Sequence, residues 1–190
     1  MNLDTTFGRH LLLPHPAPPR GAQLDLVHDL SVTISRLSAD RLKLTYRLAG
    51  DLQALRLPDP RPGVRTDGLW RHTCFEAFIG HAGAHDYWEY NFSPSGAWAA
   101  YRFSAYREGM APLLKGASPE ISCNLGDESV ELMVSLDLSW LTRSFEGRGL
   151  RLGLSAVIED KAQVLSYWAL KHASEKPDFH HADSFVVELD

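Results

Sequence analysis

LWRHTCFEAFIGHAGAHDYWEYNFSPSGAWAAYRFSAYR, residues 69–107, sets aromatic rings and hydrogen-bonding side chains side by side. Trp70, Trp88 and Trp98 lie in it with Tyr87, Tyr90, Tyr101 and Tyr106, and Glu76, Glu89, Asn91, Arg102 and Arg107 are interleaved among them. The runs 73–80, 86–93 and 97–104 are strands by composition, and Ser93 to Gly96 between the last two is turn chemistry. Rings beside polar groups suit a ligand with apolar faces and polar edges, such as a sugar or a planar cofactor. The same mixture suits the core and rim of a sheet, so the rest of the chain has to weigh the two.

Outward from this block the dominant period is two. Leu42, Leu44, Tyr46 and Leu48 alternate with Lys43, Thr45 and Arg47, as a half-buried strand does. Val130, Leu132, Val134 and Leu136 alternate with Glu131, Met133 and Ser135, and a third alternation runs over 150–159. Further strands are expected near 30–36, 52–57, 119–125, 164–170 and 184–189. Turn signals fall at 49–51, 58–63 and 126–127. Only 137–143 (DLSWLTR) reads as a helix, with Asp137 or Ser139 as N-cap. Pro14, Pro16, Pro18 and Pro19 make 1–21 an extended lead-in, followed by one domain over 22–190. Many short strands with one short helix predict an all-β single domain, a β-sandwich or barrel.

The 190 residues suffice for one domain with a sizeable core, and 44% hydrophobic with 23% charged residues is ordinary globular composition. A net charge of −5 without a basic cluster argues against nucleic-acid binding. No segment has the length of a membrane span, and Leu11–Leu13 is too short for a signal-peptide core, so a cytoplasmic protein is expected. Cys74 and Cys123 have no metal-type spacing and read as buried thiols.

Four runs carry a family likeness: Asp67-Gly68-Leu69-Trp70, Thr73 to Phe78 (TCFEAF), Tyr87 to Pro94 (YWEYNFSP), and Tyr167-Trp168-Ala169-Leu170 with Lys176 to His180 (KPDFH). From about Arg9 to Leu189 the chain resembles the DOMON-like superfamily, and within it bacterial DOMON-like proteins related to family-nine carbohydrate-binding modules. The resemblance implies a jelly-roll β-sandwich that binds sugars or haem and performs no catalysis. It also implies Trp70 and Trp168 as the rings that stack on a ligand.

Strand alternation puts Cys74, Glu76 and Phe78 on one face and Phe75, Ala77 and Ile79 on the other. On the next strand Tyr87, Glu89 and Asn91 oppose Trp88, Tyr90 and Phe92, giving a polar patch beside a ring. Lys171, His172, His180 and His181 lie in the polar run 171–183 and could meet an anion, a metal or haem. Adjacent His180 and His181 point to opposite sides, however, and no metal spacing is present. A solvated loop is the better account of that run. The ligand-binding candidates are therefore Trp70, Arg71, Glu76, Tyr87, Glu89, Asn91, Trp168, Lys171, His172 and His180, with no catalytic residue and no metal ligand among them.

The leading expectation is a non-catalytic module for a small-molecule ligand, a carbohydrate or something similarly polar. A haem domain is the alternative, non-covalent because no CxxCH is present, with Met110 or Met133 as axial candidates. A glycoside hydrolase built on Glu76 and Glu89 ranks last. The residues specify neither a cofactor nor an oligomeric state.

Overall fold

A computed structural model describes residues 5–38, 40–60, 63–113, 118–142 and 149–189. Two antiparallel sheets face each other across a core, the expected all-β sandwich. In chain order the strands are β1 (Thr5–Leu11), β2 (Leu13–Pro14), β3 (Val27–Ser38), β4 (Arg41–Gly50), β5 (Cys74–His81), β6 (Tyr87–Phe92) and β7 (Trp98–Phe103). They continue as β8 (Ala111–Pro112), β9 (Glu120–Leu125), β10 (Ser129–Asp137), β11 (Leu150–Glu159), β12 (Leu165–Ala169) and β13 (Val187–Leu189). One sheet has the order β1-β3-β4-β10-β9. The other runs β2-β12-β11-β5-β6-β7-β8, with β13 also on β11.

Period-two alternation decides which side chains meet between the layers. Leu42, Leu44, Tyr46 and Leu48 of β4 join Val130, Leu132, Val134 and Leu136 of β10, all buried. They pack with Phe75, Ala77 and Ile79 of β5, Trp88, Tyr90 and Phe92 of β6, and the even-numbered residues of β11. Tyr46 carries its hydroxyl across the core to donate to the Glu76 carbonyl at 2.8 Å, which removes an otherwise costly buried polar group.

The structure differs from the sequence expectations in three places. Residues 5–11 and 13–14, inside the segment drawn as a lead-in, are strands: β1 pairs with β3 and β2 with β12. Residues 52–57 form turns with one bridge, Leu55 to Asp160, instead of a strand. There the Asp51 carboxylate accepts the Ala54 N–H at 3.3 Å, a local turn that competes with ladder pairing. The helix is shortened to α1 (Ser139–Thr142), because β10 runs on to Asp137, whose carboxylate accepts the Ser139 N–H at 2.9 Å. Arg143 lies outside the described residues.

A second apolar layer covers the outer face of the larger sheet. Phe78, Tyr87, Tyr101, Phe103 and Val157 pack there beneath Phe179 and Phe185 from the 171–186 connection. Glycine makes the close approach possible: a Cβ at Gly153 would stand 2.8 Å from Phe185 Cδ1, and one at Gly80 3.2 Å from Phe185 Cε2. β5 and β6 are consequently buried on both faces along their whole length.

Candidate functional site

The loops do not seal this outer layer. They leave a cavity of about 360 Å³ over β5, β6 and β11, near the lower end of the range for small-molecule sites. Glu76, Phe78, Glu89 and Val157 line it from the strands. Trp70 enters from the 3-10 turn Leu69–Arg71, Phe103, Arg107 and Met110 from the end of β7 and the loop after it, and Tyr167, Pro177, Phe179 and His180 from β12 and the connection beyond.

Register brings the two acids together. Glu76 is opposite Asn91, and Phe78 is opposite Glu89, so the acids are diagonal neighbours on one face, with backbones about 7–8 Å apart. Each has one carboxyl oxygen satisfied. Ser155 Oγ donates to Glu76 Oε2 at 3.1 Å, and Asn91 Nδ2 donates to Glu89 Oε1 at 2.6 Å. Asn91 is itself fixed by the Cys74 thiol, which donates to Asn91 Oδ1 at 3.4 Å. Glu76 and Glu89 are only 3% and 5% exposed, so water cannot screen them well. Burial first, and the Glu89 charge second, push the Glu76 pKa up to about 8. Burial likewise raises Glu89, against the lowering effect of Asn91 and Arg107. Near neutral pH the pair therefore retains a proton, as two buried carboxyls sharing a site do.

A chain of hydrogen bonds braces the cavity wall. His180 Nδ1 lies 2.8 Å from the Tyr87 hydroxyl, which accepts the Arg107 backbone N–H at 3.1 Å. Burial, and then the Arg107 cation, press the His180 pKa down to about 4, so its ring is neutral. With Tyr87 donating to Nδ1, the ring proton sits on Nε2, 3.7 Å from Glu89 Oε2. Arg107 adopts a left-handed backbone, φ 56°, which costs a non-glycine residue roughly 1 kcal/mol or more. Its guanidinium donates to Asp178 Oδ1 at 2.8 Å, and Tyr106 donates to Oδ2 of the same carboxylate. Burial would raise Asp178, but these two donors outweigh it and hold the carboxyl below its usual range.

Of the ten sequence candidates, Trp70, Glu76, Glu89 and His180 line this cavity. Asn91 and Tyr87 stand behind the wall, holding Glu89 and His180. Tyr87 also lines an adjoining hollow of about 380 Å³, with His180 as the shared partition. Trp168 turns the other way. It pairs with Ala156 and lies in the core between the sheets, its indole N–H donating to Ser166 Oγ at 2.9 Å. Arg71 and Lys171 are exposed and line none of the cavities described. His172 packs edge-on to His15 and lies 2.8 Å, through Nε2, from the Leu13 carbonyl, which ties it to β2.

Tyr167, the neighbour of Trp168 on β12, lines the cavity that Trp168 does not reach. Strand alternation carried the signal, since neighbouring residues of β12 cannot face the same side. Met110, one of the two axial candidates for haem, lines the cavity, whereas nothing local marked Arg107 or Phe179 as site residues; the fold brings all three in from two distant loops. Met133 lies on the outer face of the five-stranded sheet, between Thr45 and Ser122, so the other layer separates it from the cavity. Among the described residues, no three of His, Cys, Asp and Glu converge as a metal site.

A larger hollow of about 740 Å³ opens around Arg56, His72, Ser93, Ser95 and Glu159. It lacks tryptophan, tyrosine and phenylalanine, and its buried acid is already bridged. Glu159 accepts from Arg56 Nη1 at 2.9 Å and lies 2.8 Å from His72 Nδ1. Satisfied acids and missing rings make it the poorer candidate despite its size.

No family model matches the chain, and no curated protein does. A solved structure does match: "a putative carbohydrate-binding protein from Bacteroides uniformis ATCC 8492". It is 16% identical, with a TM-score of 0.68, over 94% of this chain and 84% of that one. At that identity the likeness is one of fold.

Proposed function

We propose that this chain is a non-catalytic carbohydrate-binding β-sandwich of the DOMON-like type, with the cavity over Glu76 and Glu89 as its site. The observation that carries the proposal is the composition of that cavity. Two buried acids with oxygens left over for donors lie among Trp70, Phe78, Phe103, Tyr167 and Phe179, and sugars are gripped by rings against their C–H faces and by acceptors at their hydroxyls. The fold neighbour described as carbohydrate-binding supports the same class of ligand. Within the proposal, Trp70, Tyr167 and the two acids contact the ligand, Asn91, Tyr87 and Arg107 position them, and Trp168, Lys171 and His172 lie outside the site.

A glycan array followed by titration calorimetry tests this. Trp70→Ala and Tyr167→Ala are each expected to weaken binding by about tenfold or more, roughly 1.4 kcal/mol, without loss of the folded state. Absence of binding to any glycan, or affinity unchanged in both variants, would overturn it.

A glycoside hydrolase is the second reading, favoured by one observation: the two acids face one cavity as diagonal neighbours and retain a proton between them. A retaining or inverting pair needs carboxyls about 5–10 Å apart, one protonated and one ionised. Turnover of chromogenic glycosides that is abolished by both Glu76→Gln and Glu89→Gln would promote this reading over simple binding.

A further inference from the structure

We infer that the ligand of this cavity carries a cationic nitrogen, an ammonium on a small polar body such as an amino sugar, seated against Glu76 and Glu89 among the surrounding rings. The inference rests on the cavity being the binding site and adds the charge class of what it takes.

Three observations converge. The first is the set of free acceptors. Glu76 Oε1 has no donor within hydrogen-bond distance among the described residues, and Glu89 Oε2 has none either, with His180 Nε2 standing 3.7 Å away. Both side chains are more than nine-tenths buried and line the cavity. Ionised carboxylates only accept, so the floor asks for donors, and an ammonium brings up to three together with a charge.

The second is that no cation among the described residues hydrogen-bonds either acid. The titratable groups that interact with the acids are Arg107 and His180 from the loops, Cys74 on β5, Tyr87 on β6, Tyr46 through the sheet from the core, and Tyr167 from β12. Burial pushes Tyr46, Cys74, Tyr87 and Tyr167 up, so all four are neutral, and His180 is neutral as well. The Arg107 charge lowers the pKa of both acids, but its guanidinium hydrogen-bonds Asp178 and neither glutamate, and burial still outweighs it. The pair is left to a proton, and a buried charge without a partner is costly. A bound cation takes over from that proton.

The third is the wall. Trp70, Phe78, Phe103, Tyr167 and Phe179 supply five rings to a cavity whose floor is acidic. Rings around a cation contribute through their quadrupole, most of all where water is excluded, and cages of this kind recognise ammonium groups.

Calorimetry on the full chain at about pH 7 tests the inference with matched probes. These are glucose against glucosamine, galactose against galactosamine, and choline against its neutral isostere 3,3-dimethylbutan-1-ol. In at least one pair the cationic member is expected to bind about tenfold or more tighter. Repeating the titration in buffers of different ionisation enthalpy is expected to show a proton released on binding. Glu76→Gln and Glu89→Gln are each expected to remove the preference while the thermal unfolding transition remains cooperative. Neutral sugars binding as tightly as their amino counterparts would overturn the inference and leave the carbohydrate site standing. Choline bound over its isostere with no sugar bound would do the reverse. Retention of the preference in both Gln variants, or binding of none of the probes, would overturn the cationic assignment.

Discussion

On the five-stranded sheet, β10 buries Val130, Leu132, Val134 and Leu136 and leaves Glu131, Met133 and Ser135 half-exposed on its outer side. On the larger sheet, β5 and β6 bury every residue, and the outward-facing set includes two glutamates and an asparagine. The first arrangement is what a sandwich needs, one apolar face turned to the partner sheet and one wet face. The second does more than the fold requires. Covering an outer face with loops and rings, then setting carboxyls into it, costs stability, since each buried acid has to be hydrogen-bonded, paired or protonated. The molecule tolerates that cost over one face only. Stability resides between the sheets, and the candidate site lies on the far side of one of them.

The contrast breaks most plainly in the shared core. Leu44 of β4 is fully buried between the layers, and Leu44→Ala is expected to cost about 2–5 kcal/mol, through lost transfer energy and the cavity left behind. Urea denaturation monitored by tryptophan fluorescence measures it. A loss below about 1 kcal/mol would mean that the inter-sheet layer is not the main source of stability.

Gly153→Ala attacks the outer layer alone. Its new methyl would collide with Phe185 Cδ1 and crowd the Ser184 carbonyl, so the 182–186 segment must lift from β11. Overpacking of this kind costs about 1–3 kcal/mol. Hydrogen exchange is expected to rise at 178–186 and over the outer face, while β4 and β10 keep their protection. Uniform loss of protection would show that the two layers fold as a single cooperative unit.

The alternation of β4, β10 and β11 was plain in the sequence, and so was the division of β5 into Cys74-Glu76-Phe78 and Phe75-Ala77-Ile79. Which face would be covered was not. Period two sorts side chains into two sets without saying what packs on each, and here both sets are buried. Trp168 and Tyr167 show the consequence. Both are aromatic neighbours on β12, and only pairing with β11 decides that Trp168 enters the core and Tyr167 the cavity. Glu76 and Glu89 could be placed on one face each, but their diagonal contact needed the β5–β6 register. Arg107, Phe179 and His180 come from loops that carry no period, and tertiary contacts alone place them beside the acids.

Glu76 also makes the two faces differ in their response to pH. Its folded pKa of about 8 stands above the ordinary glutamate value near 4.3, so the folded state binds the extra proton. The stabilisation is complete below about pH 4 and is lost as pH rises through about 8. Glu76→Gln keeps the hydrogen-bonding shape and removes the titration. The variant is expected to gain on the parent by roughly 1–2 kcal/mol between about pH 6.5 and pH 8 in paired denaturation curves. Parallel curves across that range would show that the carboxyl is already ionised when folded.

The smallest effect is expected on the wet face of the five-stranded sheet. Met133 of β10 stands half-buried between Thr45 of β4 and Ser122 of β9, so threonine there would sit beside small hydroxyl side chains and suits a strand. Met133→Thr is expected to change stability by no more than about 0.5 kcal/mol, as a surface substitution away from any special contact does. Because the whole inter-sheet core separates Met133 from Glu76, ligand affinity is expected to stay the same. Haemin offered to the parent and the variant should give identical spectra, since a methionine on that face cannot reach the cavity. A Soret band lost on this substitution would mean that a ligand site lies on the five-stranded sheet, and the division of labour between the two sheets would then be reversed.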